Sequence, residues 1–479
     1  MKKLIVLAVL LPLGLFAQLD LEWSDQLEVN SNMAYGYARP KIALTSNGTP
    51  IVMWSRRSNR EVYISKLNNG VFNAATKITP SGVNVFAQDW AGPDMVAQEN
   101  IVLVTFEAEP HGEGLVYLAI SKDWGNTFAD TVRVSENALT RFPTVAIAPD
   151  GTIYVAFMVF ELGDIDPHYA VTVSKDGGKT FSNEINATVM AQGETCDCCP
   201  AYLVASNIGA TLFFRNNNSD LRDIWASISK DTGKTFGVTK KVDNTAWIIN
   251  ACPSSGPSSV ANGDSFATVW MSGSTGSSRV HISNTAQTNL EVGWDAVLAP
   301  NALTNVNQNY PIIAGRFGTY GVVWEEISNG KWFIKFVANN KSPNSLLNQT
   351  IYTVNLDSAG VSKNPHLVYA NGVFHITWQD NSSRKVYYRS ATLKNFTSIS
   401  NAEKSSANIY PNPSKSGLFY LDDVELNSTI MVTDISGKIV MTQNSTLLQN
   451  IDLSPYGKGV YFISIEKEGK VDWHKLIYQ

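Results

Sequence analysis

The sequence predicts an all-β protein, a seven-bladed β-propeller followed by a small β-sandwich. Two landmarks that recur in step, with a turn signal between them, carry that prediction. The first is a proline opening an apolar stretch, at Pro40, Pro93, Pro143, Pro200, Pro257, Pro311 and Pro365. Successive prolines stand roughly 50 to 57 residues apart, which suits one four-stranded blade. The second is an aromatic residue about 13 or 14 positions later, closing a β-rich run: Trp54, Phe106, Phe157, Phe214, Trp270, Trp324 and Trp378. Between the two sits a glycine turn, Asn47-Gly48 in the first copy and Asp150-Gly151 in the third, which asks for positive φ and joins two antiparallel strands. One such sheet cannot bury both faces alone, so neighbours must stack and a closed ring must protect the ends.

In chain order, residues 1–17 read as a secretory signal. Lys2 and Lys3 form its charged region, Leu4 to Leu15 its apolar stretch, and Ala17 its cleavage edge. That apolar run is short for a bilayer, and no later segment is apolar enough to cross one. Leu21 to Asn30 (LEWSDQLEVN) looks like an orphan fourth strand. The seventh copy ends at KVYYRSATL without a clear fourth strand of its own, so the orphan is expected to complete it and join the ends of the ring. Third and fourth strands follow each aromatic, as in EVYISKL and NAATKITP of the first copy. The propeller is assigned to 18–396, a Ser/Asn-rich linker to 397–406, and the sandwich to 407–479. Alternation at Tyr461, Ile463 and Ile465 suits that second domain.

Hydrophobic residues make up 44% of the chain and charged residues 16%, which supports a large core rather than disorder. The formal charge is −5, and the leader carries two lysines and no acids, so the remainder is more negative still. Without a basic run, the chain is a poor candidate for binding nucleic acid or anionic membranes, and neither nucleic acid nor a transmembrane segment is expected. No phosphate-binding glycine loop and no Cys/His catalytic pairing is present, and the six histidines are scattered.

Three copies contain S-x-D-x-G-x-T-F: SKDWGNTF (Ser121 to Phe128), SKDGGKTF (Ser174 to Phe181) and SKDTGKTF (Ser229 to Phe236). In these turns Asp123, Asp176 and Asp231 can accept backbone N–H bonds, a structural role. With the repeats, this motif resembles the Asp-box (BNR repeat) of sialidase-like propellers. Known members of that family have six blades, so the resemblance offers six as the alternative to the seven counted here. The C-terminal piece, with IYPNPSKSGLFYL, VTDISGKIV and GKGVYFISI, resembles the sorting domain of the type IX secretion system of Bacteroidetes-like bacteria. That resemblance implies a secreted or outer-surface protein, with the secretion machinery as a partner.

The sialidase-like fold also implies where a ligand sits, at loops entering the first strand and linking the second and third. A sialidase clamps a carboxylate with three arginines and uses a tyrosine nucleophile raised by a glutamate. Arg39, Arg141, Arg215 and Arg222 are the arginines available for a clamp, with Trp90 beside them as a ligand contact. Tyr310 with Glu325 or Glu107 is the candidate catalytic pair. The family carries an aromatic-Arg-Ile-Pro run near its first blade, whereas this chain has Tyr37-Ala38-Arg39-Pro40, one place displaced. The reading is therefore a propeller that binds a glycan or protein ligand at its channel mouth, with a sialidase-type exo-glycosidase or related carbohydrate-cleaving enzyme as the alternative.

The four cysteines stand at the entrances to the fourth and fifth copies: Cys196, Cys198 and Cys199 in ETCDCCPAY, and Cys252 in NACPSSGP. In an exported chain they suggest two disulfides, one joining Cys198 or Cys199 to Cys252. No resident cofactor is expected. A thiolate site for copper or zinc at the same cysteines is the alternative.

Overall fold

Alternating apolar and polar residues, interrupted by glycine turns, give antiparallel sheets from end to end. The structure is a computed structural model. It describes residues 19–394 and 407–479, apart from residues 33, 35, 57, 137, 207, 208, 263, 301, 304, 317, 358, 423, 425–427, 436, 437, 446–448, 468 and 469. The leader at 1–17 and the linker at 397–406 lie outside the described residues.

Residues 21–393 form seven sheets, one for each proline-to-aromatic unit. The innermost strands are Ala38–Leu44, Asp94–Gln98, Thr140–Ile147, Tyr202–Ser206, Ser258–Asn262, Val306–Arg316 and Ser362–Ala370. Each packs on its counterpart in the next sheet, and the seventh packs on the first, so the ring is closed. The second strands hold the aromatic landmarks, from Trp54 to Trp378, all seven at 0% exposure. The cores lie between sheets rather than within one. Ile51, Met53 and Ile64 of the first sheet pack with Val102, Val104 and Phe106 of the second. Burying each such side chain contributes roughly 1.5–3 kcal/mol, and it is the neighbour that buries it.

The prolines are not confined to strand starts. Pro40, Pro143, Pro311 and Pro365 lie inside their strands, and the register slips at each of them. The bulge accommodates the missing ladder donor. It also turns the preceding residue to positive φ: Arg39 (53°), Phe142 (54°), Tyr310 (47°) and Asn364 (49°). These four residues leave the regular pleat and line the narrow end of the central channel.

Three strands of the seventh sheet come from its own unit and the fourth from the N-terminal segment. Leu21–Trp23 runs antiparallel to Lys385–Leu393, with Leu21 opposite Leu393, and Leu27–Glu28 pairs further along with Tyr388 and Tyr387. The Trp23 ring meets Phe336 edge-on at 5.7 Å, and Arg389 stands 4.9 Å over it.

The three aspartate turns share one bonding pattern. Asp231 Oδ1 accepts the Thr235 N–H at 2.9 Å and its Oδ2 the Thr235 hydroxyl at 2.6 Å, while the Ser229 hydroxyl donates to Oδ1 at 2.8 Å. Asp123 and Asp176 do the same with Thr127 and Thr180. These hydrogen bonds hold the carboxyls below the usual carboxylate range, at about 2 for Asp231 and for Asp123 despite partial desolvation.

Residues 408–478 fold as two further sheets, one of three strands and one of four. Phe419, Ile430, Val432, Ile451, Ile463 and Leu476 form the core they share. Among the described residues no helix is long and apolar enough to cross a membrane.

Candidate functional site at the channel mouth

All seven landmark prolines converge on one constriction, together with Arg39, Phe142, Tyr310 and Asn364. The space there is about 60 Å³, room for a few waters and not for a sugar ring. Away from the prolines the channel widens to about 650 Å³, and aliphatic side chains such as Leu44, Val96, Ile147, Val204, Val260 and Val368 line it. Polar chemistry gathers instead around the constriction.

Arg39 is fixed there by its backbone, whose N–H donates to Gln379 Oε1 at 2.8 Å. Its side chain passes Gly92, where a Cβ would come within 3.3 Å of Arg39 Cγ. The guanidinium stands 5.6 Å over the Tyr310 ring and reaches Asn364 Oδ1 at 3.5 Å. Its Nε is buried without a hydrogen-bond partner. Gln379 continues the network by donating to Asp89 Oδ1 at 2.8 Å, and Lys363 Nζ lies 3.6 Å from Asp89 Oδ2 and 4.7 Å over Trp332. Glu325 is buried beneath, its Oε2 accepting the Asn364 N–H at 2.9 Å. Burial pushes its carboxyl up to about 7, against the pull of the Lys363 charge. Burial, and then the charge of Glu325, raise the Tyr310 hydroxyl.

Tyr310 and Glu325, the candidate catalytic pair, lie close enough for the Glu325 charge to act on the Tyr310 hydroxyl. Among the described residues, however, no hydrogen bond joins them. Glu107, the alternative partner, belongs to a different group. Its Oε1 accepts the Gly112 N–H at 2.8 Å and faces His111 Nδ1 at 2.8 Å, and burial pushes its carboxyl up. The His111 ring stacks on Phe86 at 3.8 Å, with Trp90 at 5.5 Å and Phe142 at 5.6 Å. Trp90 is thus one face of an aromatic wall. Arg141 is held 2.8 Å from Asp164 and 4.3 Å over the Phe160 ring, and it lies so close to Gly112 that any Cβ there would touch the guanidinium.

The arginine clamp needs correction. Arg215 is 0% exposed, and its guanidinium donates to the carbonyls of Ser255, Arg222 and Met271 at 3.0, 2.9 and 2.6 Å. With its donors on backbone, it ties loops together rather than facing the mouth. Arg222 is also buried and donates to Cys196 Sγ at 3.2 Å. Of the four arginines only Arg39 reaches the constriction.

The cysteines form one disulfide instead of two, Cys198–Cys252. Cys196 and Cys199 are buried thiols 3.2 Å apart, a hydrogen-bonding separation rather than a covalent one. These sulfurs are the residues that could hold a metal. His366 and His375 are structural, His366 Nδ1 accepting the Ile42 N–H at 3.2 Å and His375 Nδ1 lying 2.7 Å from the Tyr388 hydroxyl.

Two contributors to the mouth, Asn364 and Phe142, escaped the sequence reading although each precedes a landmark proline as Arg39 and Tyr310 do. That position was the available signal. Gln379 carried none.

A closed ring of β-sheets with a polar, aromatic-flanked entrance defines a β-propeller, here joined to a small all-β C-terminal domain. Residues 408–479 match the secretion system C-terminal sorting domain family, which marks the chain as a secreted or outer-surface protein. No curated protein matches the chain. Among solved structures, it is similar to an ulvan lyase bound to GlcA(1-4)Rha3S, at 11% identity over 76% of this chain and 95% of that one, with a TM-score of 0.50. A Dyadobacter fermentans protein of unknown function is 12% identical over 78% and 99% of the two chains, TM-score 0.47. Trypanosoma rangeli sialidase in complex with the inhibitor DANA is 10% identical over 92% and 84%, TM-score 0.44. The likeness to the ulvan lyase shows a shared fold alone.

Proposed function

We propose that the propeller binds an acidic glycan at the narrow mouth of its channel, while the C-terminal domain directs the chain to the cell exterior. One observation carries this reading: Arg39 is held at the constriction with its Nε buried and without a hydrogen-bond partner. A carboxylate on a sugar supplies the missing acceptors and two parallel bonds to a planar fork. Trp90 and His111, half-buried and backed by the buried rings of Phe86 and Phe142, offer apolar faces for a sugar ring. The constriction admits no ring, so the glycan lies across the mouth.

A second reading, cleavage of the same glycan, is favoured by one feature. Glu325 titrates near neutrality beside Tyr310, an arrangement suited to proton transfer. Screening the purified mature chain on an array of uronate- and sialate-bearing glycans, followed by a product assay on every hit, separates the two. Retention without product supports binding, product that vanishes in Tyr310→Phe supports cleavage, and no retention of any acidic glycan rejects both.

A further inference from the structure

Outside the mouth, three of the four cysteines turn their sulfurs toward one point. Cys196 Sγ lies 3.2 Å from Cys199 Sγ and 3.5 Å from Cys198 Sγ, and Cys198 and Cys199 are 3.8 Å apart. The backbone enforces this triangle. The Cys196 N–H donates to Arg215 O at 2.9 Å, and the Cys199 N–H to Cys196 O at 3.3 Å, coiling residues 196–199 into a turn. Two sulfurs on one metal ion at about 2.3 Å each can stand no more than about 4.6 Å apart. All three separations are smaller. Disulfides need sulfurs in pairs, and a triangle is the geometry of a shared ligand.

Charge around the triangle points the same way. Arg222 donates to Cys196 Sγ, its Nε is buried without a partner, and among the described residues its one carboxylate contact is Asp220 at 3.8 Å. The Arg215 guanidinium is wholly buried, gives its donors to the carbonyls of Ser255, Arg222 and Met271, and makes no salt bridge among the described residues. Two buried cations are costly unless an anion answers them.

We propose that Cys196, Cys198 and Cys199 form a three-sulfur site for monovalent copper, gated by Cys252. Soft thiolates select monovalent copper over hard cations. Three thiolates around one such ion carry a net charge of −2, which the two guanidiniums balance. Cys252 is solvent-exposed and bonded to Cys198, so the outer disulfide withholds one of the three ligands. A dithiol reductant transfers two electrons and two protons to that bond, leaving two thiols and its own cyclic disulfide. The copper ion then displaces the protons of Cys196, Cys198 and Cys199 to solvent, three in all.

The test uses the mature full-length chain under anaerobic conditions, titrated with copper(I) against a chromophoric copper(I) chelator. After reduction by a dithiol and its removal, one copper per chain is expected, with three sulfur neighbours by X-ray absorption. Unreduced protein should bind at least 100-fold more weakly. Cys252→Ser frees Cys198 and should bind at the affinity of the reduced wild type with no reductant added, which a purely structural cysteine would not produce. Cys199→Ser should lose at least 100-fold, and Cys252→Ser keeps the test decisive if that variant does not fold. Failure of Cys252→Ser to take up copper overturns the proposal. So does preferential uptake of zinc by four sulfurs, or a reduced wild type that re-forms disulfides without retaining copper.

Discussion

Arg39 and Tyr310 face each other because each precedes a proline at which a strand bulges. Arg39→Ala should weaken binding of an acidic glycan by tenfold or more, about 1.4 kcal/mol or above, while leaving neutral glycans unaffected; titration calorimetry with both ligands checks this. Glu325 makes a separate prediction about pH. Its folded pKa of about 7 lies above the ordinary glutamate value, so the folded state holds its proton more tightly than the unfolded one. Its penalty is absent below about pH 4.5 and grows as pH rises to 7, reaching roughly 3 kcal/mol. Glu325→Gln keeps an acceptor for the Asn364 N–H and should therefore be the more stable protein at pH 8, with the gap closing at pH 4. Asp243 titrates in the same window, so the difference between the two proteins is the quantity to measure by denaturant unfolding. What the sequence could not reveal is which arginines are spent. Arg215 is consumed by carbonyls at Ser255 and Met271, supplied by a loop and a strand 40 and 56 residues away, and nothing local encodes that.

At the scale of elements, the aspartate turns and the orphan strand were readable because their chemistry is local or their absence elsewhere is conspicuous. Asp231→Ala removes the acceptor of the Thr235 N–H and should cost about 1 kcal/mol. Because hydrogen bonds depress that carboxyl, its contribution is present above about pH 4 and fades as pH falls toward 2, so the variant and wild type should converge in acid. Deleting residues 19–30 strips Leu21 and Trp23 from the seventh sheet and should lower the melting temperature by roughly 5–10 °C. An unchanged melt would mean the segment contributes nothing to closure. The bulges were not readable. Proline announces a lost donor but not whether the strand stops or slips, and here it slips at Pro40, Pro143, Pro311 and Pro365.

For the whole molecule, one ion pair among the described residues joins the ring to the sorting domain, Arg316 with Asp422 at 2.8 Å. An exposed pair of this kind contributes at most about 1 kcal/mol. Removing residues 408–479 should therefore shift the melt of the ring by only a few degrees while leaving the protein inside the producing cell, as fractionation and immunoblotting would show. Ring topology was legible because seven copies repeat two landmarks, whereas the identity of the ligand was not, since the mouth is assembled from single residues contributed by different sheets. The segment that completes the seventh sheet is the first part of the ring to leave the ribosome, and its partner, Lys385–Leu393, is the last. Until both exist, one sheet presents a bare row of amide and carbonyl groups, the feature that proteases and holdases seize. A product truncated before residue 385 lacks the strand on which Leu21–Trp23 pairs, so its ring stays open, and it should be digested faster than the full chain.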